Sequence, residues 1–377
     1  MSNTGGVVPE TMRAVHLTGY GGIEKLVYRE DVATPQPQNG EVLIKVGACG
    51  LNNTDVNLRT RWYHRSVNES LSEQVALTGA KGAGAEEEQG NASWNQESIV
   101  FPRIQGAAIA GRIVAVGPSV DAGRVGERVL VDPQVRDLSL PLRAQLIAYL
   151  GGDRDGGFAE YAVVPAANAY PLSSSLTDAE LATFPTSYDT AEEMLVRARL
   201  SEGETVVITG AAGGVGTALI QLAHIRKARV IAIAGKSKEE RIRELGAHAF
   251  VPREVDNLRD AVEKIVGPQG VDVVADVVGG PMFGDLLKLL RRGGRYSTAG
   301  AIAGPVQPLD LRDLIYKDLE MYGITCPTPE TFAQVVGYVE SGQLRPLVDK
   351  VFDLSDLREA QGELVKRAHV GKLVVVP

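Results

Sequence analysis

The stretch TVVITGAAGGVGTALIQLAHI, residues 205–225, constrains the fold more than any other part of this chain. A β-branched apolar run stops at Gly210, a glycine-rich turn follows, and an apolar helical pattern begins at once. A strand that turns this tightly into a helix leaves backbone N–H groups free at the helix N-terminus, where an anion is held. Gly213 and Gly216 occupy the second and third places of the G-x-G-x-x-G spacing, and Ala211 occupies the first. Gly210, one residue earlier, is positioned to make the tight turn, and Gly214 and Val215 complete the loop. A dinucleotide pyrophosphate is the ligand such a turn suits.

The surrounding texture agrees. RVIAIAG (strand), KEERIRELG (helix), DNLRDAVEKIVG (helix), VDVVADVVGG (strand), FGDLLKLLRRGG (helix) and RYSTAG (strand) follow in order. Strands apolar throughout suit a parallel sheet covered on both faces, and the alternation implies a doubly wound α/β fold. The first part of the chain reads as β-rich instead, with MRAVHLTG, EVLIKVGACG, AIAGRIVAVG and ERVLVDP as short strands. Between these runs, Thr60 to Ser98 contains LTGAKGAGAEEEQGN and is expected to be an exposed loop or lid. DAELATFPTSYDTAEEMLVRA is expected to be helical around a break at Pro185. After Pro305 come a helix, ETFAQVVGYVESG, a short strand region and the closing GKLVVVP.

The strand after the glycine loop bears on which dinucleotide binds. An NAD site wants a carboxylate about 20 residues on, to accept from the ribose 2′-OH. That count from Gly216 reaches Lys236 in AGKSKEER, and no acid appears before Glu239. Lys236, Ser237, Lys238 and Arg241 suit a 2′-phosphate, so NADPH is the expected cofactor. A solvated helix start with Ser237 as N-cap explains the same residues.

Composition narrows the remaining classes. A net charge of −8 argues against a general nucleic-acid grip. No run of 18 apolar residues occurs, and MSNTGGVVPETMR lacks signal-peptide features, so a cytoplasmic protein without membrane partners is expected. Two cysteines, Cys49 and Cys326, make neither a disulfide framework nor a four-cysteine zinc knuckle. The Asn-x-Ser/Thr triplets at Asn52, Asn68 and Asn91 are then chance matches.

Nine fragments in order extend over nearly the whole chain: EVLIKVGACGLNNTD, QGAAIAGRIVAVG, GERVLV, GGFAEYAVVP, AAGGVGTALIQLA, ELGAHAF, DVVGG, GGRYSTAG and GKLVVVP. Together they resemble the medium-chain dehydrogenase/reductase superfamily, in its zinc-free, quinone oxidoreductase-like branch. The resemblance implies a GroES-like β-barrel catalytic domain over 1–172 (with the 60–98 insertion), a Rossmann NADP(H) domain over 173–310, and a return to the catalytic domain over 311–377. It also implies a homodimer joined near RYSTAGAIAGP. Zinc enzymes of this superfamily take one ligand from the second Cys of an A-C-G-I-C-x-x-D loop, where this chain has Asn52. The His of G-H-E is replaced by Ala107, and the third ligand, a Cys, by Thr186. Asn, Ala and Thr do not replace two thiolates and an imidazole, so no metal is expected.

Without a Lewis acid, a nicotinamide reduces acceptors that are already electrophilic, such as quinones and α,β-unsaturated carbonyls. The resemblance places Asn52 and Asp55 at the substrate, Asn52 as a hydrogen-bond donor or a plain turn residue. Tyr63, in RWYHR, is the best proton donor or orienting hydroxyl, with His64 as rival and Trp62 as a pocket wall or core residue. Thr190 matches a nicotinamide-binding Thr, and Val278 and Gly300 complete the cofactor set. Tyr188, where relatives commonly have Gly, narrows the substrate site or adds a second hydroxyl. Cys49 reads as a small buried residue. The expected function is an NADPH-dependent, zinc-independent reductase of a small quinone or conjugated carbonyl. Its alternatives are a carbonyl reductase or alcohol dehydrogenase using a side-chain acid, and a non-catalytic NADPH-binding redox sensor.

Overall fold

The computed structural model describes residues 8–80 and 99–377. The centre of the expected lid, 81–98, and its Asn91 triplet lie outside the described residues. Two compact units form. The first contains the described residues of Met1–Val67, Glu73–Thr186 and Phe332–Pro377, and the second contains Asn68–Ser72 and Ser187–Thr331.

The first unit opens with the antiparallel pair β1 (Thr11–Leu17) and β2 (Leu26–Ala33). Then come β3 (Glu41–Gly50), α1 (Asn53–Arg59), α2 (Glu73–Thr78), β4 (Arg103–Ile104), β5 (Ala108–Val116) and β6 (Arg128–Val131). The hairpin β7 (Gln134–Arg136) and β8 (Leu146–Tyr149), then β9 (Tyr161–Pro165), β10 (Ala169–Pro171) and α3 (Asp178–Leu181), close its first half. The second unit runs α4 (Ser187–Arg197), β11 (Thr205–Ile208), α5 (Gly214–Ile225), β12 (Arg229–Ala234), α6 (Glu239–Glu244) and β13 (Ala249–Pro252). It continues through α7 (Leu258–Val266), β14 (Val271–Asp276), α8 (Phe283–Leu289), β15 (Leu290–Thr298), α9 (Leu311–Tyr316) and β16 (Glu320–Gly323). α10 (Pro329–Glu340) leads back to the first unit, which ends in β17 (Val348–Asp353), α11 (Leu357–Lys366) and β18 (Lys372–Val376).

In the first unit the main sheet has the order β10-β6-β5-β3-β18-β17, with β9 also on β3. This is the GroES-like domain. The C-terminal strand lies antiparallel to β3, with Val374 opposite Gly50 and Val375 opposite Cys49. The second unit has a six-stranded sheet in the order β13-β12-β11-β14-β15-β16, with every pairing parallel. That is the Rossmann order: the chain builds outward from β11 to β13 on one side and from β14 to β16 on the other, so the switch point lies between β11 and β14. Val207, Ile231, Val274, Leu286 and Tyr296 form its core with their neighbours, so the central strands are buried on both faces as their unbroken apolar runs require.

Two expectations change, one on a helix end and one on the lid. LRRGG belongs to strand β15 rather than to the preceding helix, because Leu290 already pairs with Val271. The second compact unit runs from Ser187 to Thr331, together with Asn68–Ser72. Its edge strands β13 and β16 are short, and β16 is mostly exposed, so neither carries an alternating pattern that marks a strand. The described part of the expected lid is not simply exposed: Trp62, Leu71, Ala76 and Ala80 are buried.

Arg59 ties that part down. The side chain is fully buried, and its three nitrogens donate to Gly21 O (3.0 Å), Ala76 O (2.7 Å) and Gln361 Oε1 (2.9 Å). Burial pushes the guanidinium pKa down to about 10. One residue therefore pins α1, α2 and α11. Arg59→Met strands three acceptors, and charged hydrogen bonds of this kind contribute about 1.5–3 kcal/mol each. The expected loss in urea unfolding is about 3 kcal/mol or more, and a loss below about 1 kcal/mol contradicts the pinning role.

Candidate functional site

The glycine loop divides its labour among three residues. Gly210 has φ +55°, a left-handed conformation that strains other residues, and a Cβ there would lie 2.8 Å from a Val277 methyl. Gly216 allows α5 to close on the loop, since its Cβ would sit 2.2 Å from Gly210 O. Gly213 is different. Its φ of −78° suits any residue, and a Cβ would come no nearer than 3.6 Å to the protein. Packing does not demand a glycine there, whereas close backbone approach to a phosphate does. No side chain caps α5 at Gly213, so the N-terminus formed with Gly214 and Val215 is left for an anion. Ala211 is fully buried, and its N–H donates to Ile233 O (3.1 Å); it anchors the turn.

Asp276, at the end of β14, holds the neighbouring loop and was not picked out from sequence. Its Oδ1 accepts from Thr209 Oγ1 (2.5 Å), Val278 N (2.9 Å) and Gly279 N (3.1 Å), and its Oδ2 accepts from Tyr296 OH (2.5 Å). The carboxylate is fully buried and multiply hydrogen-bonded. Val278 O accepts from Ala303 N, and a Cβ on Gly300 would lie 2.4 Å from Val277 O. Gly210, Val278 and Gly300 thus belong to loops packed together at the C-terminal ends of β11, β14 and β15, where open parallel sheets bind ligands. The only sequence signal for Asp276 was its place at the head of DVVGG.

Thr190 lies half-buried on α4. Tyr188 is buried on α4. Its hydroxyl accepts from Gln221 Nε2 (2.9 Å), burial raises its pKa, and the residue packs α4 against α5.

After β12, Lys236–Lys238 form a short helical turn whose N-cap is Gly235, and α6 takes Lys238 as its own N-cap. Ser237 caps neither. Lys236, Ser237 and Arg241 are exposed. Tertiary structure adds two residues. Arg253 N donates to Ala234 O (2.9 Å), and Glu254 Oε1 lies 3.7 Å from the point a Cβ on Gly235 would occupy. Arg253 Nε bonds Glu254 (2.8 Å) and holds its carboxyl below the usual range, helped by the Lys236 N–H. The strand end therefore has more cations than the sequence count suggested, and one carboxylate already paired.

In the first unit, β3 ends at Gly50 and Asn52 becomes the N-cap of α1. Asn52 Nδ2 donates to Gly50 O (3.1 Å), and Oδ1 accepts from Lys372 Nζ (2.5 Å). Lys372 also donates to Leu51 O (2.6 Å). Asp55 Oδ2 accepts from the Asn52 N–H (2.8 Å), a capping contact, and Gln105 Nε2 donates to Asp55 O (2.9 Å). Burial pushes the Asp55 carboxyl up to about 6, against the N–H groups of Asn52 and Gly106 and the charges of Lys372 and Arg59. Tyr63 OH donates to Thr54 Oγ1 (3.4 Å), and burial raises its pKa. Asn52, Asp55 and Tyr63 are thereby gathered around the first turns of α1. His64 is turned to Ser66 (Nδ1–Oγ 2.6 Å), and Trp62 is a buried residue edge-on to Tyr63. Burial pushes the Cys49 thiol well up, so it is no nucleophile.

The residues at the family's metal position do not fit a divalent cation. Ala107 has no donor, and Asn52 Oδ1 faces an ammonium. Thr186 is left-handed at φ +70°, a strained state for a β-branched residue, with its Oγ1 buried and unpartnered. Among the described residues no group of three or more His, Cys, Asp or Glu is placed to hold a metal.

Two outcomes follow from this geometry. Gly213→Ala keeps the thermal midpoint within about 2 °C yet weakens nicotinamide-coenzyme binding at least about tenfold by calorimetry, whereas Gly216→Ala lowers the midpoint clearly. Equal coenzyme binding by Gly213→Ala contradicts the phosphate role. For Asp55, the native carboxyl titrates at about 6 against an ordinary 3.8, so the native state holds a proton the unfolded chain has released between those values. Stability therefore falls as pH rises through that window. Asp55→Asn flattens this slope in urea unfolding, and an unchanged slope means the carboxyl is not raised.

A family model described as "Zinc-binding dehydrogenase" matches residues 214–341, and one described as "Alcohol dehydrogenase GroES-like domain" matches residues 38–174. A crystal structure assigned to an alcohol dehydrogenase of Sinorhizobium meliloti 1021 is 48% identical, covers 99% of this chain and 98% of its own, and superposes with a TM-score of 0.86. The quinone oxidoreductase of Lama guanicoe is 29% identical over 97% of each chain. The chloroplastic NADPH-dependent alkenal/one oxidoreductase of Arabidopsis thaliana is 27% identical over 98% of this chain and 81% of its own. The chain belongs to the medium-chain dehydrogenase/reductase superfamily, in its quinone oxidoreductase-like branch, and is an oxidoreductase that works with a nicotinamide cofactor.

Proposed function

We propose that this oxidoreductase uses NADPH to reduce a quinone or an α,β-unsaturated carbonyl without a metal. The observation that carries the reading is the Asn52–Lys372 contact: an ammonium faces the residue that stands at the zinc-ligand place implied by the resemblance. Bound nicotinamide supplies a hydride, and an acceptor that is already electrophilic needs little further activation. Asn52 donates to the acceptor's carbonyl oxygen, and Tyr63, kept protonated by burial, orients the substrate or gives the proton. The relatives named as quinone and alkenal/one oxidoreductases support this acceptor class. Lys236 and Lys238 support NADPH, because their charges suit a 2′-phosphate while Arg253 pairs with the nearby Glu254 carboxylate. A second reading, reduction of simple carbonyls with Tyr63 as acid, is favoured by the 48% identical relative assigned as an alcohol dehydrogenase.

The expected setting is a cytoplasmic homodimer, with exposed Ile315, Tyr316 and Met321 beside edge strand β16 as the contact. No described helix is long and apolar enough to cross a membrane.

Coenzyme oxidation assays against quinones, enals and simple ketones test the proposal. Conjugated acceptors are expected to exceed ketones at least about tenfold in kcat/KM, and Lys236→Glu to weaken NADPH about tenfold while leaving NADH little changed. Equal use of NADH overturns the coenzyme choice, and faster ketone turnover favours the second reading. Silence with every acceptor indicates a sensor.

A further inference from the structure

We infer that Lys372 is a positioning residue for the reaction: it locks the Asn52 side-chain amide in one orientation and leaves a single Nδ2 hydrogen for a substrate carbonyl oxygen. The inference rests on the reductase reading above and adds the residue that makes Asn52 a donor rather than an acceptor.

An asparagine amide offers two donors on one end and an acceptor on the other, and turning it over interchanges them. A lysine ammonium has three donors and no acceptor. With Lys372 Nζ 2.5 Å from the amide and tied also to Leu51 O at 2.6 Å, only the oxygen can face it. The Nδ2 end then points the other way, and one of its hydrogens is given to Gly50 O (3.1 Å). One hydrogen remains. Reversal would set two N–H groups against an ammonium and strand the carbonyl oxygen of Gly50, in a place where Asn52 is 7% exposed and Lys372 4% exposed. The backbone of Asn52 is fixed independently by its N–H bond to Asp55 (2.8 Å), so only the side-chain torsions need control. An ammonium on the amide oxygen also draws electron density from Nδ2 and strengthens it as a donor.

Lys372 reaches this place through the sheet. β18 is antiparallel to β3, and β3 runs directly into the loop. During the reaction, hydride adds to the electrophilic carbon of the acceptor and the electron pair moves onto oxygen. The Asn52 N–H bond to that oxygen strengthens as charge develops, and a proton from Tyr63 or solvent completes the reduction. Lys372 touches neither substrate nor cofactor in this scheme and is neither consumed nor deprotonated.

A double-mutant cycle on the full chain tests this. Asn52→Ala and Lys372→Met are each expected to lower kcat about tenfold to a hundredfold on the best quinone or enone, with coenzyme KM within about twofold. The double variant is expected to be no slower than the slower single one. Multiplying losses, or wild-type kcat in Lys372→Met, overturn the inference. Asn52→Asp guards against misfolding: it keeps an oxygen for Lys372 and so a higher thermal midpoint than Asn52→Ala, but removes both N–H donors and is expected to lose kcat as Asn52→Ala does. Full activity in Asn52→Asp also overturns it. Should the wild-type chain turn over no acceptor with either coenzyme, the reductase reading fails by itself. The cycle is then read in urea unfolding, where coupled midpoints uphold the Lys372–Asn52 lock and additive ones dismiss it.

Discussion

The pairing of β18 with β3 is the constraint on which the catalytic unit depends. It joins β18, and β17 beyond it, to the rest of the main sheet and carries Lys372 to Asn52, 320 positions away in sequence. An ammonium buried there needs acceptors, and the loop supplies two: a backbone carbonyl and an amide oxygen. The same loop then caps α1 through Asp55, and α1 presents Thr54 to Tyr63 and ends in Arg59. One sheet contact thereby orients a whole polar cluster. At Asn52, where the resemblance to zinc enzymes implies a ligand, the side-chain oxygen faces an ammonium.

The Rossmann unit depends on close backbone approach in a comparable way. Gly216 lets α5 press on Gly210, Gly210 adopts its left-handed turn against Val277 and Val278, and Asp276 accepts from the N–H groups of Val278 and Gly279. Gly213 alone is spared any such duty. The loop is therefore a rigid cradle with one position left bare, which is the form a phosphate site takes when main-chain N–H groups do the binding.

Much of this was legible from residues in order. The central strands are apolar on both faces, so their sequence marked them as parallel, and the glycine turn lay between a strand and a helix as read. Edge strands β13 and β16 were not legible, because a short strand with one open side has little need of an apolar pattern. The Tyr188–Gln221 contact was not legible for a different reason: the two residues lie on different helices, so only packing brings them together. Asn52, Asp55 and Tyr63 were proposed from resemblance and prove to be neighbours. His64, adjacent to Tyr63 in sequence, faces Ser66 instead.

The sequence by itself determined the superfamily, the two kinds of unit, the dinucleotide loop and the missing metal donors, because each is written in local spacing or in residue identity. Only the tertiary structure decided what stands in the metal's place and what charge surrounds the end of β12. Lys372 comes from β18 and the Arg253–Glu254 pair from the turn after β13, and contacts such as Lys372–Asn52 between residues so far apart leave no periodic trace in the chain. Periodicity reports which face of an element is buried, whereas polar partnership depends on which elements meet.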